Sequence, residues 1–417
     1  MPFRSYCELP PRTTKKHVDG SCPRLLQDLF SELRGAKTIN AALYLFNNPR
    51  LYSFFEKMAN SGTKVNVISL PLVAYNDKKV KVKDLGNTSK WAQADKIYSK
   101  ILSKGCIDLY IFPHMYVWSG ARYAGGGPSY SFHIKAVFAD FGKGKQKCVI
   151  SSGNFATGDP PHSEDLLFVE NNQVYTKAFR RFFKDLLIRS FPYEEYHDKN
   201  QIDDFLFVAK KTMVNVNRNI FSKAFFTSPF YKIGNMGSNR YASQKIIRLL
   251  RKAEERILIC SQHFHDISPY DTKAVSMISA LKEIKESNPK IKIYALKQVP
   301  SKGWLADKRR AALAEFFFQY QLKAKQRYSR LVHDKFIVVD DDKINVCTSN
   351  YTPSQFAWDA EKVMKFKDKK GGISTKVDTF SEVNAFVILE RVPKIVKQYE
   401  NHFWKLWKIA TEIRIDL

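Results

Sequence analysis

Long apolar runs are missing from this chain of 417 residues. No stretch reaches the roughly 18 apolar residues that a membrane-crossing helix requires, so no spanning segment is expected. The first twenty residues, MPFRSYCELPPRTTKKHVDG, lack an apolar core of signal-peptide length, and an intracellular, cytoplasmic protein is expected. Cysteine is scarce too. The six cysteines, at positions 7, 22, 106, 148, 260 and 347, form no CxxC pair and no Cys/His ligand spacing, which argues against a disulfide framework and against a zinc ribbon. Cys148, Cys260 and Cys347 sit in apolar, strand-like runs where a thiol acts as a small hydrophobe. Acidic residues are in deficit: 41 Asp and Glu stand against 68 Lys and Arg, for a net charge of +27. Such an excess attracts a polyanion, either nucleic acid or an anionic membrane surface.

Material for packed cores is ample, since 44% of residues are hydrophobic and 14% aromatic. The length exceeds what one core usually supports, so two domains are expected, 1–205 and 206–417. Residues 1–20 read as a polar arm or capping loop. In the first half, helical spacing of Leu25, Leu26, Leu29, Phe30 and Leu33 predicts a helix over 24–36, and β-rich or amphipathic runs predict a strand over 38–46, a helix over 49–62, a strand over 64–71, a helix over 91–103 and a strand over 106–113. A strand over 164–171 and a helix over 174–190 close it. The second half repeats this order with a helix over 241–255, a strand over 256–264, a helix over 274–288, a strand over 290–297, a run over 361–366 in the place of 164–171 and a final helix over 392–408. Alternating β and α elements with short connections indicate layered α/β units with parallel strands. The fold class is therefore α/β, two similar α/β sandwich halves related by a pseudo-two-fold axis.

Each half carries the same chemical signature. SFHIKAVFADFGKGKQKCVISSGNF and LVHDKFIVVDDDKINVCTSNY both contain a His, a Lys two residues on, an Asp five beyond that, and a small-residue turn ending in Asn. The two histidines are 200 residues apart, as a duplicated unit requires. Facing imidazoles can share one displacement, one attacking and the other donating a proton to the leaving group. Two lysines and two asparagines would surround the centre with donors and positive charge, which suits a phosphoryl group, and no metal is needed.

These motifs, HIKAVFAD and HDKFIVVD with SSGN and CTSN after them, resemble the HxKxxxxD signature of the phospholipase D superfamily. His133, Lys135, Asp140 and Asn154 match in one half, and His333, Lys335, Asp340 and Asn350 in the other. The resemblance implies a phosphohistidine mechanism with His133 as nucleophile, His333 as general acid and base, and Lys135, Lys335, Asn154 and Asn350 on the phosphate oxygens, with no cofactor. It implies an active site formed within one chain, with no oligomer required. The sequence departs from the family in the first motif, where 21 residues rather than 17 separate His and Asn, and in the altered Gly-Ser pair before each Asn.

An acid follows each Asn by eleven residues, Asp165 and Glu361. A carboxylate behind an imidazole fixes its tautomer and raises its basicity, and both acids are expected to do so. Asp140 and Asp340 are expected to anchor loops. For substrate, residues 302–330 interleave Lys and Arg with Trp304, Phe316, Phe317, Phe318, Tyr320 and Tyr328, and 209–232 has similar character. Such stretches can track phosphates and stack bases, or lie on anionic lipid. A nuclease-type phosphodiesterase is favoured over a phospholipase or phosphatidyltransferase, and both over a binding scaffold without turnover.

Overall fold

Short runs of Val, Ile, Phe and Ala between charged turns build two mixed sheets, and helices cover the faces that would otherwise expose them. The computed structural model describes residues 2–10, 23–70, 90–112, 132–157, 161–195, 214–228, 230–265, 276–298, 314–352 and 382–412, residue 356, and the short strands 74–75, 79–80, 115–116, 129–130, 363–367 and 373–377.

The first sheet is built from β1 (Phe3–Glu8), β2 (Thr38–Leu43), β3 (Lys64–Ser69), β4 (Asp108–Ile111), β5 (Lys135–Gly142), β6 (Lys145–Ser151), β7 (Glu164–Glu170) and β8 (Phe191–Pro192). Helices α1 (Pro23–Leu33), α2 (Pro49–Asn60), α3 (Lys90–Lys104) and α4 (Gln173–Ile188) accompany it. The strand order is β1-β7-β6-β5-β2-β3-β4-β8. Strands β2, β3 and β4 run parallel, as crossover helices demand, while β5, β6 and β7 are antiparallel hairpin neighbours. The start of α2 shows the local logic. Asn48 caps it, accepting from the backbone N–H of Arg50 and Leu51, and Pro49 fills the first turn, where no donor is missed.

The second sheet repeats the plan with β9 (Ala224–Thr227), β10 (Arg256–Ser261), β11 (Lys292–Lys297), β12 (Lys325–Tyr328), β13 (Lys335–Val339), β14 (Lys343–Cys347) and β15 (Asn384–Glu390), in the order β9-β15-β14-β13-β10-β11-β12. Helices α5 (Ser238–Leu250), α6 (Met277–Ser287) and α7 (Pro393–Ile409) belong to it. Seven strands thus correspond in order, β1 with β9 through β4 with β12. Even the tight strand-to-helix turns match, with positive φ at Asn171 (51°) after β7 and at Arg391 (61°) after β15.

Three expectations change. The N-terminal segment is not a loop: Phe3–Glu8 forms the edge strand beside β7. The run 361–366 does not correspond to β7. Val363–Lys367 instead pairs with Ile373–Val377 in a separate two-stranded sheet, and β15, some twenty residues later, takes the place beside β14. The aromatics of 209–232 that the structure describes are core, since Phe221, Phe225, Phe226, Phe230 and Tyr231 are fully buried. The division at 205/206 lies outside the described residues.

One continuous apolar core runs through both sheets, and the closing helices tie it across. Tyr175 on α4 donates to the carbonyl of Ile388 on β15 (3.0 Å), and Tyr399 on α7 donates to Oδ1 of Asp165 on β7 (3.3 Å).

Candidate active site

Each motif lysine opens its strand opposite the C-terminal end of the first parallel strand of its half: Lys135 pairs with Leu43, and Lys335 with Ser261. Loops at that end are where open α/β sheets place ligands. The residues just before the histidines make parallel bridges into the opposite half, Phe132 to Val383 and Val332 to Ser163. The backbone N–H of Ser163 also donates to the carbonyl of Leu331 (2.6 Å). Each histidine is thereby seated beside the first residue of the other half's last long strand, His333 beside Glu164 and His133 beside Asn384.

The two pairings differ chemically. Nδ1 of His333 lies 2.9 and 3.0 Å from the two carboxylate oxygens of Glu164, so the proton on Nδ1 points at the carboxylate and Nε2 is left for chemistry. Ser152 Oγ donates to the same carboxylate (2.7 Å) and fixes it. At His133 the neighbour is an amide. Asn384 hydrogen-bonds the imidazole and favours its charged form, against burial and the nearby cations, and Nδ1 of His133 is buried with no hydrogen-bond partner among the described residues. Nε2 of His133 instead faces the ammonium of Lys135 at 3.0 Å.

Both lysines are fully buried and held alike, Lys135 Nζ donating to the carbonyl of His133 (2.7 Å) and Lys335 Nζ to that of His333 (2.5 Å). Burial, then Lys135, Lys335 and His333, push the His133 imidazole well below its ordinary range. His333 is pushed down by burial, Lys335, His162 and Lys135, with Asp334 opposing. The four motif side chains therefore sense one another across the seam. Burial also lowers Lys335, while Glu164 supports its charge.

His133, Lys135, His333 and Lys335 are brought together. Asn154 and Asn350 occupy the turns after β6 and β14, and Oδ1 of Asn350 is buried without a partner among the described residues. Asp165 is a correction. Strand residues alternate faces, so with Glu164 aimed at His333, Asp165 points to the opposite side, under α7, where Tyr399 meets it. There burial and Asp334 push its carboxyl well above the usual range. Glu361 lies outside the described residues, and Asn384 holds the position corresponding to Glu164. Asp140 and Asp340 bind loops: Asp140 accepts from Gly142 N–H and Gln146, and Asp340 from the N–H groups of Glu254, Glu255 and Arg256.

Several residues were not singled out from sequence. Counting back six positions from Glu170 and Glu390, which end β7 and β15, would have found Glu164 and Asn384. His162 stacks on His333 with ring centroids 5.2 Å apart and planes 17° apart. His263 is half-buried near Lys335 and His333, and burial, then His265, Lys335 and His333, push its imidazole well below the ordinary range. Asp334 accepts from Ser163 and meets His402 Nε2 at 3.1 Å, fixing the backbone between the motif His and Lys.

Comparison with known proteins follows this geometry. A family model described as "Cardiolipin synthase, PLD-like domain" matches residues 246–407. The phosphatidylserine synthase of Haemophilus influenzae Rd KW20 superposes with TM-score 0.59 at 11% identity, covering 99% of this chain and 87% of that one. Polyphosphate kinase from Porphyromonas gingivalis gives TM-score 0.50 at 13% identity over 97% of this chain and 47% of its own, so the chain spans about half the kinase's length. Nuc of Salmonella typhimurium, a phospholipase D family member, aligns with 46% of this chain and 97% of its own at 14% identity and TM-score 0.31. No curated protein sequence matches.

Proposed function

Because the chain belongs to the phospholipase D superfamily, whose members are phosphodiesterases and phosphotransferases, we propose that it cleaves a phosphodiester through a phosphohistidine on His133, with nucleic acid as substrate. The observation that carries the chemistry is the convergence of His133, Lys135, His333 and Lys335 from opposite halves onto one buried cationic spot.

The asymmetry of the two histidines supports their division of labour. His133, crowded by cations and with no carboxylate partner among the described residues, stays neutral, as a nucleophile must. A bound phosphodiester brings negative charge that offsets the lysines, and the imidazole backed by Glu164 is the one that gains a proton. His133 Nε2 then bonds to phosphorus while the bond to the leaving oxygen breaks, and that oxygen takes the proton from His333 Nε2. In the second step His333 removes a proton from water, whose oxygen attacks phosphorus and expels His133. Lys135, Lys335, Asn154 and Asn350 hold the non-bridging oxygens.

Nucleic acid is favoured by the net charge of +27 and by the surface. Phe316 and Tyr320 expose 38% and 54% of their areas with rings 5.2 Å apart, offering a stacking platform. The other large apolar side chains exposed among the described residues are scattered, and the two that share a helix, Val174 and Ile188, stand at opposite ends of α4, unlike the continuous apolar face of a lipid-binding helix. Also among the described residues, no helix is long and apolar enough to cross a membrane. A phosphatidyl substrate is the second reading, favoured by the description of the matching family model.

Labelled single- and double-stranded DNA, RNA, and phosphatidylcholine/phosphatidylglycerol vesicles offered separately in EDTA test this. Nucleic-acid cleavage is expected, and headgroup release alone would transfer the assignment to phospholipid. His133→Ala and His333→Ala should each lower turnover by at least about 10³-fold with the fold intact by circular dichroism. If both variants keep parental turnover, the mechanism fails.

A further inference from the structure

The strand that delivers Glu164 to His333 delivers a second imidazole with it. Glu164 opens β7 and His162 lies two residues before it; both side chains meet His333, while the Ser163 hydroxyl between them donates to Asp334. One donor atom from each of His162, Glu164 and His333 lies within 4.8 Å of the others. Glu164 is 1% exposed and its carboxylate is already oriented by Ser152, as metal-binding carboxylates are. Two imidazoles and one carboxylate make the donor set of open zinc sites, with metal–donor bonds of about 2.0–2.2 Å and a fourth position left to water or an anion. Nitrogen donors also select against Mg²⁺ and Ca²⁺, which take oxygen ligands.

We propose that His162, Glu164 and His333 form a binding site for one Zn²⁺ ion per chain, and that filling it switches the enzyme off. The ion takes the place of the proton that Nδ1 of His333 shares with Glu164, and the imidazole stays neutral by carrying its one proton on Nε2, which leaves no lone pair there. His333 is then pinned as a ligand and can neither donate to a leaving oxygen nor activate water. The binding claim stands on the three side chains alone, whereas the switch rests on the phosphodiesterase reading above.

Two measurements separate these claims. Full-length protein stripped with EDTA and desalted is titrated with Co²⁺, followed by its visible absorption, and with Zn²⁺ by calorimetry. One Co²⁺ per chain with tetrahedral bands that Zn²⁺ abolishes is expected. His162→Phe keeps a flat ring against His333 but removes the nitrogen, and His162→Asn removes the ring, so each should weaken Zn²⁺ by at least about tenfold. Each variant's turnover, referred to its own rate in EDTA, should no longer fall when Zn²⁺ is added. The site is refuted if the parent takes up no stoichiometric Co²⁺ or Zn²⁺, or if both variants bind as tightly as the parent. The switch is refuted if Zn²⁺ binds through His162 and turnover is unchanged. A protein inactive on every substrate offered would count against the phosphodiesterase reading, and the Co²⁺ titration would still decide the site.

Discussion

Glu164 and Asp165 are adjacent in sequence, both buried and both acidic, yet they serve opposite faces of one strand. Glu164 meets the imidazole of His333, and Asp165 meets Tyr399 beneath the sheet. Glu164→Gln keeps the shape but removes the charge that stabilises protonated His333, so a fall in kcat of about 10²–10⁴-fold is expected, with an altered pH profile. Asp165→Asn keeps the acceptor for Tyr399, and among the described residues its side chain makes no hydrogen bond to a motif residue, so kcat should change little. Steady-state kinetics on the two variants decide between them, and the reverse pattern would restore Asp165 to the role the sequence suggested. The eleven-residue spacing from Asn to acid was legible, but parity was not. In a strand a shift of one position moves a side chain through the sheet, and nothing in EDLLFVE marks which acid faces inward.

At the level of elements, the duplication was readable because each motif is covalently compact. His, Lys, Asp and Asn fall within about 20 residues, so the repeat shows as text and the β-hairpin that carries it follows from alternation. What hid β15 was the insertion after Tyr351. It separates β15 from β14 by 36 residues (from Cys347 to Asn384), against 12 between β6 and β7 (from Ser151 to Glu164), and it carries strand-like sequence of its own. The edge strand β1 was missed because FRSYCE alternates weakly and finds its reason only in β7. Asp340 was legible as a loop anchor for the right cause. It stands at positive φ (53°) after β13 and accepts from three successive backbone N–H groups, of Glu254, Glu255 and Arg256. Asp340→Ala leaves those donors dependent on water at the mouth of β10, and a loss of roughly 1–3 kcal/mol is expected. Urea denaturation would show it as a lower midpoint, and kcat of the folded fraction should be retained. An unchanged midpoint would mean that solvent satisfies those groups equally well.

Across the whole molecule, the site exists only because two sheets share a core, and that core makes the protein's stability depend on pH in two opposite ways. His133, His263 and His333 all have imidazoles pushed well below the ordinary 6.5, with burial the first cause in each. Unfolded, they take up protons as pH falls through about 6.5; folded, they do not. The unfolded state then binds more protons, and stability must decline on acidification below about pH 6.5. Asp165 works in the other direction. Its folded carboxyl is held well above the ordinary 3.8 by burial and by Asp334, with Glu164 adding to the effect, and with the Ser152 hydrogen bond and Lys335 opposing it. The folded state keeps a proton that the unfolded chain gives up near 3.8, so this group's contribution falls as pH rises from there through its folded pKa. Asp165→Asn removes that second dependence and leaves the histidine limb intact. Urea midpoints of parent and variant, measured from about pH 5 to 8, should therefore both drop on acidification below about pH 6.5, while the advantage of the variant widens as pH rises. A gap of constant size across that range would show that Asp165 is ionised in the folded protein throughout.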